Sequence, residues 1–271
     1  MAMMELVNTK KLFQLDELSF DGHRINFQND NDPTSIFYGI SQGGILGAGY
    51  VSLSNSADII DRSILGVPGA PFSFILSRSD DFLVYNQLML YNFRNNRHIR
   101  IYLSLVQMAY DSVDASGYLA EPLDADDLPR VLLQAGIGDS QVTTISAEIL
   151  ARAFNASLLE DAPKEVFGLE EFMYRSDGDG PKSALVELLY VDEASTIPKS
   201  NISPDRNNVH ICVRYDLALR NQVIEFINDG RISNPCTGEK CVRQRARSCD
   251  AARRRSRNLN IHQMLRSKNF L

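Results

Sequence analysis

The residues with the clearest potential for chemistry begin with a serine between two glycines. Ser41 lies in the sequence Gly39-Ile40-Ser41-Gln42-Gly43, a G-x-S-x-G pattern at the end of an apolar run. Where this pattern joins a buried strand to a helix, the serine occupies a sharp turn and its hydroxyl is exposed for nucleophilic attack. We expect a Cβ at either glycine to crowd the backbone of the serine. A loop rich in small residues gives the same pentapeptide. The residues around it must therefore distinguish a nucleophile turn from an ordinary loop.

An aspartate and a histidine follow at positions where they can serve such a serine. Asp139 comes directly after the apolar run 130–135, and His210 precedes a helical pattern near the end of the chain. An aspartate before a helix is typically a turn residue or a cap, and a lone histidine is more often structural. The order Ser41, Asp139, His210 is nevertheless the Ser, Asp, His order of α/β-hydrolases.

The elements that must position these residues alternate between strand and helix patterns. Asp21-Gly22 between short alternating segments predicts a β-hairpin. Buried strands are predicted at 35–40, 63–67, 130–135 and 184–191, with a glycine-rich helix at 43–53. Such alternation indicates an α/β fold with a parallel sheet covered by helices on both faces. The carboxyl ends of its strands would bring Ser41 and Asp139 to one edge.

Residues 71–129 form a long insertion between the second and third of these strands. Their apolar residues recur at helical spacing, as in Leu83 and Tyr91. The insertion is either a helical lid over a substrate pocket or an ordinary crossover with an extra helix. Six aromatic residues either line a site for an acyl or aromatic group or belong to the core; they are Phe72, Phe74, Phe82, Tyr85, Tyr91 and Tyr110.

Three segments resemble one known family. YGISQGGILG, GIGDSQVTTISAEILAR and HICVRYDLALRNQVIEFINDGRISNPC look like the C-terminal part of a bacterial family of lipase- and esterase-like proteins with the α/β-hydrolase fold. The resemblance spans roughly residues 17–241. It implies that Ser41 is the nucleophile, Asp139 the acid and His210 the base in carboxylic ester hydrolysis through an acyl-enzyme. The motif also implies that the N–H of Gln42 contributes to an oxyanion hole.

The same resemblance exposes a difference. Only 40 residues precede Ser41, whereas an α/β-hydrolase normally has several strands before its nucleophile. We therefore expect residues 1–238 to form a partial α/β-hydrolase domain that lacks its N-terminal strands. The expected partners are a small ester or lipid substrate and a missing N-terminal fragment. The alternative is a catalytically inactive hydrolase fragment that acts as an interaction module.

The charge distribution sets the C-terminal tail apart. Residues 239–271 contain ten Lys and Arg against two acidic residues, while the rest of the chain contains eighteen against thirty-two. The tail therefore carries about +8 and the remainder about −14. We expect a disordered tail, and polyanion binding is the weaker alternative.

Composition limits the remaining classes. With 44% hydrophobic and 23% charged residues the chain is typical of a globular protein. No signal peptide or run of eighteen apolar residues is found, so no membrane span is expected and a cytoplasmic location is the default. Cys236 and Cys241 form either a small disulfide loop or free thiols, and no metal site or other cofactor is indicated.

Overall fold

The computed structural model describes residues 19–20, 23–24, 35–53, 60–119, 128–173, 180–193, 206–236 and 240–243. The strands are β1 (Ser19–Phe20), β2 (His23–Arg24), β3 (Ile36–Ile40), β4 (Arg62–Gly66), β5 (Arg130–Gly136), β6 (Ser157–Leu159), β7 (Glu171–Phe172), β8 (Ala184–Tyr190) and β9 (Val242–Arg243). The helices are α1 (Gln42–Val51), α2 (Phe72–Leu76), α3 (Leu83–Phe93), α4 (Asn96–Tyr110), α5 (Thr144–Ala153), α6 (Val209–Tyr215) and α7 (Leu217–Asp229). Short 3₁₀ helices occur at Asp80–Phe82 and Ala115–Gly117.

The main sheet is parallel throughout. Its strand order is β3-β4-β5-β8-β6-β7, and β9 pairs with the end of β8. In register, Gly39 of β3 lies opposite Leu65 of β4, and Leu65 lies opposite Leu133 of β5. The predicted α/β class with a parallel sheet is therefore confirmed. Within the described residues β3 is an end strand, because it pairs with β4 alone.

Helices cover both faces of this sheet, as the sequence predicts. Alternate strand residues such as Ile64 and Leu132 face a core that includes α6 and α7. Their neighbours Leu65 and Leu133 face a second core that includes α1 and α5. Since successive side chains point to opposite faces, a strand buried on both sides needs an uninterrupted apolar run. The four predicted strands are all present, and this requirement is met by β4, β5 and β8. The prediction of a buried strand is wrong for β3, whose Tyr38 is 48% exposed, because β3 pairs on one side only within the described residues.

The insertion between β4 and β5 is helical. It comprises α2, α3 and α4, in agreement with the helical spacing of its apolar residues. Its aromatic residues differ in their burial. Phe72 packs edge to face on Tyr110 with ring centroids 5.0 Å apart, whereas Tyr85 is 60% exposed and Tyr91 is 81% exposed. Neither a purely core role nor a purely pocket-lining role describes the whole set.

Both ends of the chain add detail to the predictions. The hairpin is present, with Ser19–Phe20 antiparallel to His23–Arg24, although its turn and the predicted strand at 25–27 lie outside the described residues. The predicted tail boundary is too early, because Val242–Arg243 pairs with β8. Arg243 also contacts Asp216, with 3.1 Å between Nε and Oδ2. Residues 244–271 lie outside the described part.

The C-terminal helices differ from the prediction, and the cysteines and the helix lengths add two further findings. The single helix predicted after His210 is two helices, because Asp216 ends α6 and its carboxylate caps α7 by accepting from the N–H groups of Ala218 and Leu219. Cys236 and Cys241 are joined by a disulfide, which settles the alternatives left open by their spacing. No helix in the described ranges is long and apolar enough to cross a membrane.

Candidate functional site

Ser41 occupies a strained turn between β3 and α1. Its backbone has φ 59° and ψ −124°, a region that L-residues other than glycine rarely adopt. The Ser41 N–H donates to the carbonyl of Gly66 across 2.8 Å, which ties the turn to the neighbouring strand. Such strain persists only where the surrounding structure enforces it, and it is concentrated at functional sites. The sharp turn predicted from G-x-S-x-G is therefore present.

The two glycines of the motif play unequal parts. A Cβ at Gly39 would lie 2.2 Å from the carbonyl oxygen of Gly43, so no side chain fits there. Outside its own helix, a Cβ at Gly43 would meet no heavy atom within 4 Å, because this residue lies on the exposed side of α1. The predicted crowding of the serine backbone is therefore wrong for Gly43, and at Gly39 the nearest atoms belong to Gly43 and Phe37 rather than to Ser41. Gly44 is the second constrained position, since a Cβ there would lie 2.8 Å from the Gly66 carbonyl oxygen.

Asp139 lies in the loop that follows β5 and uses its two carboxylate oxygens differently. Oδ1 accepts hydrogen bonds from the backbone N–H groups of Gln141 at 2.8 Å and Val142 at 3.0 Å. Oδ2 lies 2.7 Å from Nδ1 of His210. The two interpretations of this residue from sequence, a turn residue and a partner of histidine, are thus both fulfilled. Because Asp139 is only 1% exposed, its orientation is fixed.

His210 connects Asp139 to Ser41. It is the second residue of α6 and is 2% exposed. Its Nε2 lies 2.8 Å from Ser41 Oγ, while Nδ1 faces the carboxylate. An ionised carboxylate only accepts hydrogen bonds, so the neutral ring must carry its proton on Nδ1. That assignment leaves Nε2 free to accept the hydroxyl hydrogen of Ser41.

The structure thus brings together the three residues that the sequence separates by up to 169 positions. Ser41, Asp139 and His210 follow β3, β5 and β8 respectively, at the carboxyl ends of parallel strands where ligand chemistry collects in open α/β sheets. A hydroxyl hydrogen-bonded to an imidazole that a buried carboxylate orients has the geometry of an activated nucleophile. Chemically, the arrangement is able to transfer the hydroxyl proton to the ring as the oxygen attacks.

Gln42 is placed at the start of α1. The first N–H groups of a helix have no intrahelical acceptor and carry partial positive charge. No acidic residue occupies the first turn of α1. The N–H of Gln42 immediately follows the Ser41 hydroxyl along the chain, so negative charge developing beside Ser41 would be favoured here.

Asn207 is a structural member of the site that the sequence analysis missed. Its amide nitrogen Nδ2 donates to the carbonyl of Gly138 at 2.8 Å, and its backbone N–H donates to Ser140 Oγ at 3.2 Å. Its Oδ1 accepts from the N–H of Val209 at 3.1 Å, at the start of α6. Asn207 therefore joins the Asp139 loop to the helix of His210. An asparagine before a helix predicts a cap, but nothing local predicts the contact with a loop 69 positions away.

The helical insertion is attached beside the same loop. The N–H of Asp80 donates to the carbonyl of Ser140 at 2.8 Å. A small apolar cluster joins the insertion to the site region: it contains Ile45 of α1, Ile75 of α2 and Val142 of the Asp139 loop, with Phe72 packed against it. This cluster therefore packs the insertion against α1 and the Asp139 loop.

A second group of ionisable residues lies on the α5 side of the sheet. Glu187 of β8 is 1% exposed, and its Oε2 lies 3.5 Å from Nζ of Lys164, which also pairs with Glu148. Burial raises the pKa of Glu187 to about 8, partly opposed by the charge of Lys164. Coulombic attraction and hydrogen bonds to the two glutamates raise the pKa of Lys164 despite its burial. Across the described ranges, no group of three or more His, Cys, Asp or Glu residues has metal-binding geometry.

Comparisons with family models, curated proteins and solved structures found no match for this chain. The resemblance to lipase- and esterase-like proteins therefore stays a prediction.

Proposed function

We propose that this protein is a serine hydrolase of carboxylic esters with the C-terminal half of an α/β-hydrolase fold. The observation that carries the proposal is the continuous hydrogen-bonded chain from Asp139 through His210 to Ser41, with both contacts between 2.7 and 2.8 Å. The strained backbone of Ser41 supports it, because a turn of that kind positions a nucleophile. Burying a carboxylate and an imidazole costs free energy, so their presence beside a serine hydroxyl is not explained by core packing alone.

The proposed reaction follows from the positions of these groups. His210 Nε2 accepts the Ser41 proton while Oγ attacks the ester carbonyl, and the resulting oxyanion accepts a hydrogen bond from the Gln42 N–H. The imidazolium then returns its proton to the leaving alcohol, which departs and leaves an acyl-serine. Water, deprotonated by His210, attacks this acyl group and releases the acid. Asp139 holds the Nδ1–H tautomer and stabilises the imidazolium throughout.

The surroundings favour an uncharged, apolar substrate. The elements around the reacting groups, α1, α2 and the Asp139 loop, are joined by the buried apolar side chains of Ile45, Ile75 and Val142, with the partly buried Phe72 packed against them. Binding sites for small molecules are typically apolar with a few positioned polar groups. In this proposal α2, α3 and α4 form a lid-like insertion, and its attachment through Asp80 to the Asp139 loop supports that role.

A second candidate, an inactive hydrolase fragment acting as an interaction module, is favoured by the position of β3. Within the described residues this strand has no partner on its outer side. An open strand edge accepts another strand, so a preceding or separate N-terminal segment is the partner that fits this alternative. Under it, the three residues would keep their hydrogen bonds without turnover.

Hydrolysis of short aryl esters separates the two candidates. We expect Ser41→Ala and His210→Ala each to remove nearly all activity, and the double variant to be no worse than either, because the residues act as one unit. Ser112→Ala is the matched control, since this serine is exposed and its hydroxyl donates to the nearby carbonyl of Ala109. Wild-type hydrolysis equal to that of Ser41→Ala would favour the inactive module, and additive losses would mean that the two residues act separately.

A further inference from the structure

The helical hairpin formed by α3 and α4 exposes an unusual amount of apolar side chain. We call residues 83–110 the apolar hairpin. Ten of its large apolar residues are at least 38% exposed. They are Leu83, Val84, Tyr85, Leu88, Tyr91, Phe93, Ile101, Tyr102, Leu105 and Met108. A soluble monomer rarely leaves so many neighbouring apolar side chains in water, and such a surface indicates a contact with a protein or a membrane.

Helical spacing shows that these residues form a surface of their own. α4 buries Ile99 and Leu103 against the rest of the protein. Its exposed residues Ile101, Leu105 and Met108 recur at intervals of four and three, so they form a second stripe on the outer side of the helix. α3 buries no residue at all. The hairpin thus uses one side of α4 for attachment and presents the remaining apolar surface outward.

The charge of the apolar hairpin is one-sided. Residues 83–110 contain no aspartate or glutamate, whereas Arg94, Arg97 and Arg100 lie at and after the turn between the helices, next to His98. The chain without its basic C-terminal tail has a net charge of about −14. All four of these basic residues are exposed. The hairpin is therefore a local cationic and apolar surface on an acidic protein.

We propose that the apolar hairpin docks on an anionic lipid surface. Helices that lie in a membrane interface combine exposed leucine and aromatic side chains with arginine or lysine and few acids. Long arginine side chains can keep their guanidinium groups at the headgroups while their methylenes and the neighbouring apolar residues enter the interface. Tyrosines such as Tyr85 and Tyr91 suit the same boundary, since one end of the ring is apolar and the other polar.

A symmetric contact between two hairpins fits less well. In a two-fold interface the same surface meets itself, and a second hairpin would offer no acidic residue to pair with the arginines, since residues 83–110 contain none. The exposed residues of α3 also point in more than one direction, since Val84 and Tyr85 are consecutive. A groove in a protein partner typically covers a single stripe of a helix, whereas a lipid interface can cover a broader face.

The insertion that carries this surface is attached beside the candidate site, where the N–H of Asp80 donates to the carbonyl of Ser140 in the Asp139 loop. Docking through the apolar hairpin would therefore attach the protein to the lipid surface through the same insertion. The inference goes beyond the proposed function and does not depend on it, because lipid binding is measured without any turnover.

A tryptophan reporter tests the proposal directly, because the chain contains no tryptophan. Tyr91→Trp places the reporter on α3, where the native side chain is 81% exposed, and Phe167→Trp places a control at a residue that is 93% exposed and outside the hairpin. Each full-length variant is mixed with vesicles of phosphatidylcholine, with or without phosphatidylserine. We expect a blue shift of the Tyr91→Trp emission, and its quenching by brominated lipid, only with phosphatidylserine present. The Phe167→Trp emission should not change.

Charge and apolar variants complete the test. In the Tyr91→Trp background, Arg97→Gln and Arg100→Gln should each weaken binding to the anionic vesicles about fivefold. Leu105→Ser with Met108→Ser should reduce it further, with unchanged helical circular dichroism as the check on folding. Vesicle binding without any change in the Tyr91→Trp emission would assign binding to another segment and overturn the proposal. A blue shift that grows with protein concentration in the absence of vesicles would also overturn it, in favour of self-association.

Discussion

The matched pair Gly39→Ala and Gly43→Ala should change stability in opposite directions. A Cβ at Gly39 would lie 2.2 Å from the Gly43 carbonyl oxygen, whereas ordinary contacts begin near 3.4 Å, so about 1.2 Å of overlap must be relieved. The obstacle is backbone in the turn that carries Ser41, and it cannot rotate away as a side chain would. We expect a loss of about 3 kcal/mol or more in the free energy of unfolding.

Gly43→Ala meets no such obstacle. Outside its own helix nothing lies within 4 Å of the added methyl group, and alanine is favoured over glycine inside a helix by about 0.5–1 kcal/mol. For a protein of this size, each kcal/mol moves the midpoint of thermal unfolding by roughly 2–4 °C. Gly39→Ala should therefore lower the midpoint by roughly 6–12 °C, and Gly43→Ala should raise it slightly.

Thermal unfolding followed by circular dichroism, with urea unfolding as a second measure, tests both variants under identical conditions. The reasoning would be refuted if Gly39→Ala were as stable as wild type, or if Gly43→Ala were the more damaging change. Either result would mean that the turn at Ser41 is not packed as the structure describes.

Four other predictions follow from individual contacts. Asp139→Asn should lower kcat for ester hydrolysis on the order of 10⁴-fold, because the amide favours the wrong tautomer of His210; a small effect would exclude Asp139 as the acid. Asn207→Ala should lower kcat about 10- to 100-fold with little change in KM, and a change confined to KM would contradict its positioning role. The pKa of Glu187 is raised to about 8 in the folded protein and is near 4.3 in the unfolded chain. The free energy of unfolding is therefore unaffected by this group below about pH 4.3 and falls as the pH rises toward 8, because only the unfolded chain then ionises it. Glu187→Gln should therefore stabilise the protein at pH 8 more than at pH 5, as measured by urea unfolding, and a gain independent of pH would count against this. If the tail binds polyanions, deletion of residues 244–271 should abolish retention on heparin without affecting hydrolysis, and unchanged retention would exclude polyanion binding by the tail.

Local sequence patterns were sufficient for the main elements of the fold. Strands buried on both faces must be apolar at successive positions, and the runs around Leu65, Leu133 and Leu185 satisfy that requirement. The helical break at Asp216 was harder to predict, since apolar spacing continues across it and only the cap reveals it. The short strands β6, β7 and β9 have two or three residues each, too few for a periodic pattern.

The candidate site shows a similar division. Ser41 lies in a motif in which only glycine fits at position 39. The turn that carries Ser41 was therefore predictable from local sequence. Chain order suggested Asp139 and His210, but order says nothing about distance. Asn207 could not be found, because its bond to Gly138 depends on how two distant loops meet. The unequal roles of Gly39 and Gly43 likewise depend on the path of the backbone around Ser41.

Reaction with a fluorophosphonate, followed by peptide mapping, measures whether the Ser41 hydroxyl is activated. Such a reagent modifies a serine only where a base activates its hydroxyl. We expect covalent modification of the wild-type chain at Ser41, none at that position in Ser41→Ala, and a greatly reduced rate in His210→Ala although the serine remains. The test should be run with and without an N-terminal segment supplying a strand for the edge of β3. Modification at another serine, or a folded wild-type protein that reacts no faster than Ser41→Ala in both settings, would contradict the assignment of Ser41 as an activated nucleophile.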